Sequence, residues 1–316
     1  MGAWHNAAMQ HLRIATRRST LALWQAEHVA GLLRARQPGL EVSLVPVVTT
    51  GDRIQDRPLA AVGGKGLFIK ELEVAIAEGR AELAVHSMKD VPAELPPGFL
   101  IAAVLPRADP RDAFVSRRHA AFAALPPGAR VGTSSLRRES MLRAARPDLD
   151  VVPLRGNVDT RLRKLDDGDL DAIILAAAGL MRLGLGGRIT EFLEPRISLP
   201  AVGQGIVGIE CRDEAMLRAV LAPLDDGPTR ECLTAERALS ARLEGGCTSP
   251  IAGYARHVAG LLEIEGLVGA PQGSPVYRDR TQGPPGEAAA MGCRLAERLL
   301  AAGAGALLAS LRHRAD

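Results

Sequence analysis

The feature that most constrains the fold is alternation, because short β-rich runs and helical patterns follow one another along the chain. Residues 12–16 read as a strand, 20–36 as a helix and 41–48 as a strand. A polar, glycine-containing stretch at 49–66 has the length of a mobile loop over a site. It leads into a helical pattern at 67–78 and a strand at 83–86. Proline and glycine cluster at 92–98 and 106–110, after which the alternation restarts. Strands are expected at 129–132, 150–154 and 171–176, and helices at 135–145 and 158–167. Such alternation argues for an α/β fold with mainly parallel strands and a domain boundary near 106–110. Beyond the turn-rich stretch 223–228, a helix, two alternating strands at 251–258 and 261–268, and a helical block from 287 describe a smaller α+β domain.

The 316 residues fit two or three domains at about 150 residues each. With 47% hydrophobic and 24% charged residues the chain has the composition of a globular protein, not of a disordered one. A net charge of +3 and 3% aromatic residues give neither a strong basic field nor a stacking surface, so no nucleic-acid partner is expected. No apolar run approaches the ~18 residues of a membrane span, and the first ten residues lack the pattern of a secretory signal. Cys211, Cys232, Cys247 and Cys293 are too far apart in sequence for a zinc site or a redox dithiol. They read as reduced thiols of a cytoplasmic protein, and no metal is expected.

Only four of the 39 basic residues are lysine, and it is the placement of the 35 arginines that matters. The planar guanidinium fork grips carboxylates in bidentate fashion. Five segments put cationic or polar residues after strands, where α/β folds build sites. Arg13, Arg17 and Ser19 accompany the first strand, and His86-Ser87-Met88-Lys89-Asp90 follows the strand at 83–86. Gly132-Thr133-Ser134-Ser135-Leu136-Arg137-Arg138 supplies helix-capping hydroxyls and two arginines in a first helical turn. Arginine there opposes the positive end of the helix dipole, so an anionic ligand is expected to offset the pair. Arg155 and Arg161 repeat the arrangement, and Arg182 follows the strand at 171–176. Together these describe a cleft for a ligand with several carboxylates. Asp90 within it is either a structural ion-pair partner or a carboxylate that stabilises a cation and shuttles a proton.

Two glycine-rich motifs need separate treatment. Gly203-Gln204-Gly205-Ile206-Val207-Gly208 has the letters of a dinucleotide fingerprint but lacks its context, since Pro200 precedes it and a strand follows. Gly63-Gly64-Lys65-Gly66 is incomplete as a P-loop and reads as an anion-binding nest or a tight turn. Near the end of the chain, Glu244-Gly245-Gly246-Cys247-Thr248-Ser249-Pro250 places a cysteine on a Gly-Gly turn, as a nucleophile or a covalent attachment point. Cys211, Cys232 and Cys293 read as inert core thiols.

These blocks, taken in order from about residue 12 to 291, resemble the porphobilinogen deaminase (hydroxymethylbilane synthase) family. The resemblance implies two hinged lobes like those of solute-binding proteins and a third, cofactor-carrying domain. Lobe 1 would be 1–107 with a return segment at 201–223, lobe 2 would be 108–200, and the third domain 224–316. It implies a dipyrromethane held by a thioether on Cys247, onto which four porphobilinogen units are condensed with loss of ammonia before the tetrapyrrole is released. Asp90 would stabilise the electrophilic pyrrolic cations. Lys89, Ser87, Thr133, Ser134, Arg137, Arg138, Arg161 and Gln204 would hold the cofactor, and Arg13, Arg17, Ser19, Arg155 and Arg182 the substrate. A monomer is expected from the same resemblance. Ala61, Thr20 and Thr248-Ser249 depart from the family pattern and bear on the loop and on packing around the anchor. A two-lobed polyanion binder without turnover is the alternative, but it needs neither an acid facing its ligand nor a covalent anchor.

Overall fold

The computed structural model describes residues 10–53, 66–245 and 249–312. Ala61, the motif at 63–65, Cys247 and Thr248 lie outside the described residues. Within them the chain is mixed α/β, with two five-stranded sheets and a three-stranded one.

The first sheet has the order β2-β1-β3-β10-β4. It contains β1 (His11–Arg17), β2 (Glu41–Val47), β3 (Leu83–Ser87), β4 (Phe99–Val104) and the late strand β10 (Val207–Arg212). The second sheet has the order β7-β6-β8-β5-β9. Its strands are β5 (Asp112–Val115), β6 (Arg130–Gly132), β7 (Asp150–Val152), β8 (Ala172–Ala176) and β9 (Glu191–Leu193). Each sheet is parallel on one side and antiparallel on the other: β1 pairs parallel with β2 and β3, while β10 is antiparallel to β3 and β4. In the second sheet β6 pairs parallel with β7 and β8, and β5 is antiparallel to β8 and β9. The antiparallel part of the first sheet follows from β10 returning after the whole second sheet has been made.

Helix α1 (Thr20–Arg36) covers the first sheet, burying Ala26, Val29, Ala30 and Leu33 against Leu12 and Ile14 of β1. The short α2 (Thr50–Arg53) and α3 (Lys70–Ala77) follow, and in the second sheet α4 (Leu136–Ala145), α5 (Val158–Asp166) and α6 (Ala177–Arg182). Helix α7 (Ala215–Leu221) closes the return to the first sheet. Helix α8 (Gly227–Arg242) then packs on the antiparallel sheet of β11 (Ile251–Val258), β12 (Leu261–Gly269) and β13 (Val276–Gly283) with α9 (Ala288–Leu299) and α10 (Gly305–Arg312). No helix among the described residues is long and apolar enough to cross a membrane. The third strand of this sheet, β13, escapes sequence reading because its residues alternate between exposed and half-buried polar groups without an apolar face.

The segments that cross between the five-stranded sheets run side by side. Leu105 donates its N–H to Val207 and Ala108 to Gly205, at 2.9 and 3.1 Å. Glycine is required here on two counts. Gly203 and Gly205 have φ of +69° and +86°. A Cβ on Gly203 would stand 2.8 Å from Met88 Cβ, and one on Gly205 2.5 Å from the Ala108 carbonyl oxygen. The glycine motif therefore serves close backbone approach, and a strand, not a helix, follows it.

The crossing is fixed by one carboxylate. Asp112 of β5, with no exposed surface, accepts from Arg138 Nη2 at 2.7 Å and Gln204 Nε2 at 2.9 Å on Oδ1. Its Oδ2 accepts from Arg137 Nη2 at 2.8 Å and Ser198 Oγ at 2.6 Å. The two guanidiniums hold the Asp112 carboxyl far below the ordinary carboxylate range, against the opposing effect of burial. Removing one member of such a cluster leaves charges buried without compensation. Asp112→Asn is therefore expected to lower unfolding stability by about 3–5 kcal/mol, read as a lower urea midpoint; a midpoint equal to wild type would refute this role.

Candidate active site

A cavity of about 640 Å³ opens between the two five-stranded sheets, the size of a small-molecule site. Its wall is built by helix starts. Ser19 caps α1, Ser135 caps α4 and Asn157 caps α5, each side-chain oxygen accepting from a backbone N–H of the first turn. All three caps line the cavity, so three helix N-termini, the positive ends of their dipoles, face one space.

Arg17, Ser19, Ser87, Lys89, Asp90, Ser134, Arg137, Arg138, Arg155, Arg161 and Gln204 all line this cavity. Lys89 and Asp90 sit in a single 3-10 turn (Met88–Asp90) that continues β3. Burial lowers the Lys89 pKa to about 8, with the Asp90 carboxylate acting in the opposite direction and the Arg138 and Arg161 cations adding to the depression. Arg161 is pushed down to about 10, by burial first and then by Arg138, while Asp90 again counteracts. Asp90 is thus within electrostatic reach of both cations. Arg161 is aimed by its own Nε, which donates to the Gly156 carbonyl at 2.8 Å.

Ser87 Oγ accepts from Gln25 Nε2 at 2.9 Å, and Ser134 Oγ donates to the Leu154 carbonyl at 2.8 Å while accepting from the Leu154 N–H. Arg17 pairs with Asp52, and its guanidinium lies over the Phe68 ring at 4.2 Å. The anion that offsets the Arg137-Arg138 pair is not a ligand, as the sequence suggested, but the chain's own Asp112, which is remote in sequence and reaches the pair only through the fold. Two positive charges on one carboxylate still leave one in excess. Arg138 Nε and Gln204 Oε1 are buried and have no hydrogen-bond partner among the described residues.

Three expected residues do not line the cavity. Arg13 is turned to Glu82, at 2.5 Å, and to the Gly79 carbonyl, at 2.7 Å. Arg182 donates to the Gly205 carbonyl at 2.8 Å and lies over the Trp24 ring. Thr133 is buried, its hydroxyl accepting from the Ser135 N–H at 3.3 Å. Conversely, Gln25, Asp52, Phe68 and Asn157 line it without having been singled out. Gln25 had a signal: it is a polar residue on the apolar stripe of α1, where it is 2% exposed. Among the other cysteines Cys211 and Cys232 are buried, with burial pushing both thiols up to about 11, whereas Cys293 is exposed on the solvent side of α9. Cys293 is therefore not a core thiol.

The acidic side chains of a dipyrromethane fit this chemistry: a cavity lined by several cations and three helix starts, with a buried Arg138 N–H donor that has no partner among the described residues. On the far side, Gly245 and Ser249, which flank the Cys247 segment, line the same cavity.

Residues 12–218 match the family model described as "Porphobilinogen deaminase, dipyromethane cofactor binding domain", and residues 230–301 match "Porphobilinogen deaminase, C-terminal domain". Among curated relatives, the porphobilinogen deaminases of Bordetella parapertussis and Bordetella bronchiseptica are each 58% identical over 306 residues, covering 96% of this chain and 98% of the relative. Among solved structures, the methionine binding protein MetQ aligns with 69% of this chain and 89% of its own, at 13% identity and a TM-score of 0.44. With two family models in succession along most of its length and relatives identical at more than half of the aligned positions, the chain belongs to the porphobilinogen deaminase family.

Proposed function

We propose that this enzyme condenses four porphobilinogen molecules head to tail into the linear tetrapyrrole hydroxymethylbilane, with loss of one ammonia at each addition. Family membership supports the reaction class. The single observation that carries the residue-level reading is that one cavity is lined both by Asp90 among cations and by the two flanks of the Cys247 segment.

When bound through a thioether to Cys247, dipyrromethane supplies the pyrrole terminus on which the chain is extended. The protein's own residues do the rest. Arg17, Lys89, Arg155 and Arg161 hold acetate and propionate groups, and Arg138 offers its Nε–H. The Ser19, Ser135 and Asn157 helix starts add partial positive charge without a titratable group. Loss of ammonia leaves positive charge on the incoming pyrrole, and the Asp90 carboxylate offsets it in a site otherwise hostile to cations. The same carboxylate accepts the proton that the pyrrole carbon sheds when the new bond forms. The protein is read as cytoplasmic, supported by the free thiols of Cys211, Cys232 and Cys293, and as a monomer from the family resemblance.

Intact-mass measurement of the denatured protein tests the reading: an excess equal to two condensed porphobilinogen units on Cys247 is expected. An unmodified Cys247 that stays unmodified after incubation with porphobilinogen sinks it. Asp90→Ala is expected to fold and to lose turnover by about two to four orders of magnitude, the range of a positioned acid–base group; near-wild-type release of ammonia would remove Asp90 from the mechanism.

Lys89 gives a pH dependence whose sign follows from its shift. In the empty cavity its proton leaves as pH rises through about 8, and an anionic ligand is held by the protonated form. Binding strength is therefore complete below about pH 8 and declines above it. The KM for porphobilinogen should rise between pH 7.5 and 9.5 in the wild type (by roughly tenfold per unit once one proton is coupled) and much less in Lys89→Arg. Identical KM profiles for the two proteins would show that another group titrates.

A further inference from the structure

Behind the catalytic turn lies a charged group that neither binding nor chemistry uses. Arg237 sits on α8, half-buried, and burial lowers its pKa. Its guanidinium donates from Nη2 to the Ala93 carbonyl at 2.8 Å and from Nη1 to the Val91 carbonyl at 3.5 Å. Those carbonyls belong to the segment that follows Asp90. A guanidinium taken out of water to hold two backbone oxygens has a desolvation cost that an apolar side chain would avoid, so its geometry calls for an explanation.

The element it stands on supplies one. The neighbouring Glu236, with no exposed surface, accepts from Arg107 Nη1 at 2.5 Å and from the backbone N–H groups of Gly203 and Ala255, each at 2.7 Å. Helix α8 is thereby fixed to both crossing segments and to β11. It ends at Arg242, just before the Cys247 segment. On the near side of Asp90, the turn is tied by Met88 N–H to the Ile206 carbonyl at 3.0 Å, and by buried His86 Nε2 to Glu210 Oε2 at 2.7 Å. The far side, at Val91 and Ala93, has Arg237.

We propose that Arg237 is a positioning residue that holds the Asp90 turn in register with the helix that leads into the Cys247 segment. The proposal rests on the deaminase reading given above. In a reaction where the growing end must meet the carboxylate at each addition, that register sets the rate of chemistry and leaves carboxylate binding alone. A misplacement of about 1 Å costs on the order of a hundredfold in rate.

The test uses holoenzyme of wild type, Arg237→Met and Arg237→Lys, with steady-state kinetics, thermal midpoints and intact mass measured on each. Arg237→Met is expected to keep its cofactor mass and to lose roughly 10- to 100-fold in kcat at a KM within about twofold of wild type. Arg237→Lys, which reaches one carbonyl at a time, should regain a good part of that loss. A wild-type kcat in Arg237→Met overturns the proposal, as does a loss that merely tracks missing cofactor or unfolded protein and is not relieved by lysine. If Arg237→Met does not fold, Arg237→Gln takes its place: a reduced kcat at unchanged KM and thermal midpoint supports the register, and a wild-type kcat refutes it. Failure of the deaminase reading itself would appear separately, as wild-type protein with neither adduct nor ammonia release.

Discussion

The Asp112 carboxylate is the contact on which the site depends, because two guanidiniums, a hydroxyl and an amide share this one anion, which itself has no exposed surface. Its donors come from α4, from the segment at 198 and from the return at 204, so a single charge joins β5 to a helix and to the crossing chain. Paired buried charges of this kind add little net stability, but each becomes costly once its partners are lost. The cluster thus acts less as a source of stability than as a constraint on geometry. It also sets the charge of the cavity, since two arginines balanced by one aspartate leave a positive excess, and both arginines line that space.

Around this point the crossing segments are braced from outside. Arg107 Nε donates to the Gln204 carbonyl at 2.9 Å, joining one crossing to the other, while its terminal nitrogens bind Glu236 on α8. The Gly253 N–H donates to the Pro200 carbonyl at 3.1 Å, so the three-stranded sheet is attached to the crossing as well. The three-stranded sheet is therefore seated on the junction of the two five-stranded ones, and Gly245 and Ser249 reach the cavity for that reason.

Much of this was legible in the sequence, and the parts that were not share a physical cause. Periodicity located α1, α4, α5 and the strands before them, because each buries one apolar face against a sheet. Short β5 and β9 carry too few residues for a period to register. The helix-dipole argument found that Arg137 and Arg138 need an anion but pointed to a ligand, because dipole and charge alone do not distinguish a ligand from Asp112, which is distant in sequence. Arg13 could have been set aside from the fold class itself. It lies near the start of β1, and α/β sites gather at the carboxyl ends of strands, where Arg17 and Ser19 are. Cys293 was misjudged because a free cysteine is usually buried, whereas its helix turns it outward.

The difference between an arginine that supports the fold and one that faces a ligand lies in what orients it. Arg13 is held by the Glu82 carboxylate, which cancels its charge, and it is outside the cavity. Arg161 is held by the Gly156 carbonyl, while Arg138, which shares the Asp112 charge with Arg137, is also held by the Ile174 carbonyl at 3.0 Å and keeps its Nε–H. A carbonyl fixes the plane of a guanidinium without neutralising it, so positive charge and free N–H groups remain for an incoming carboxylate. The cost is visible in the lowered pKa of Arg161, which burial and its cationic neighbours bring to about 10, still far enough above neutrality to keep the charge in place. Arg17 shares the same space under a different constraint, its charge partly compensated by Asp52 and its guanidinium stacked on Phe68, which makes it the weaker of the carboxylate holders. A cavity that must hold an acidic chain of changing length is better served by cations fixed through carbonyls than by preformed ion pairs, because no internal carboxylate has to be displaced at each addition.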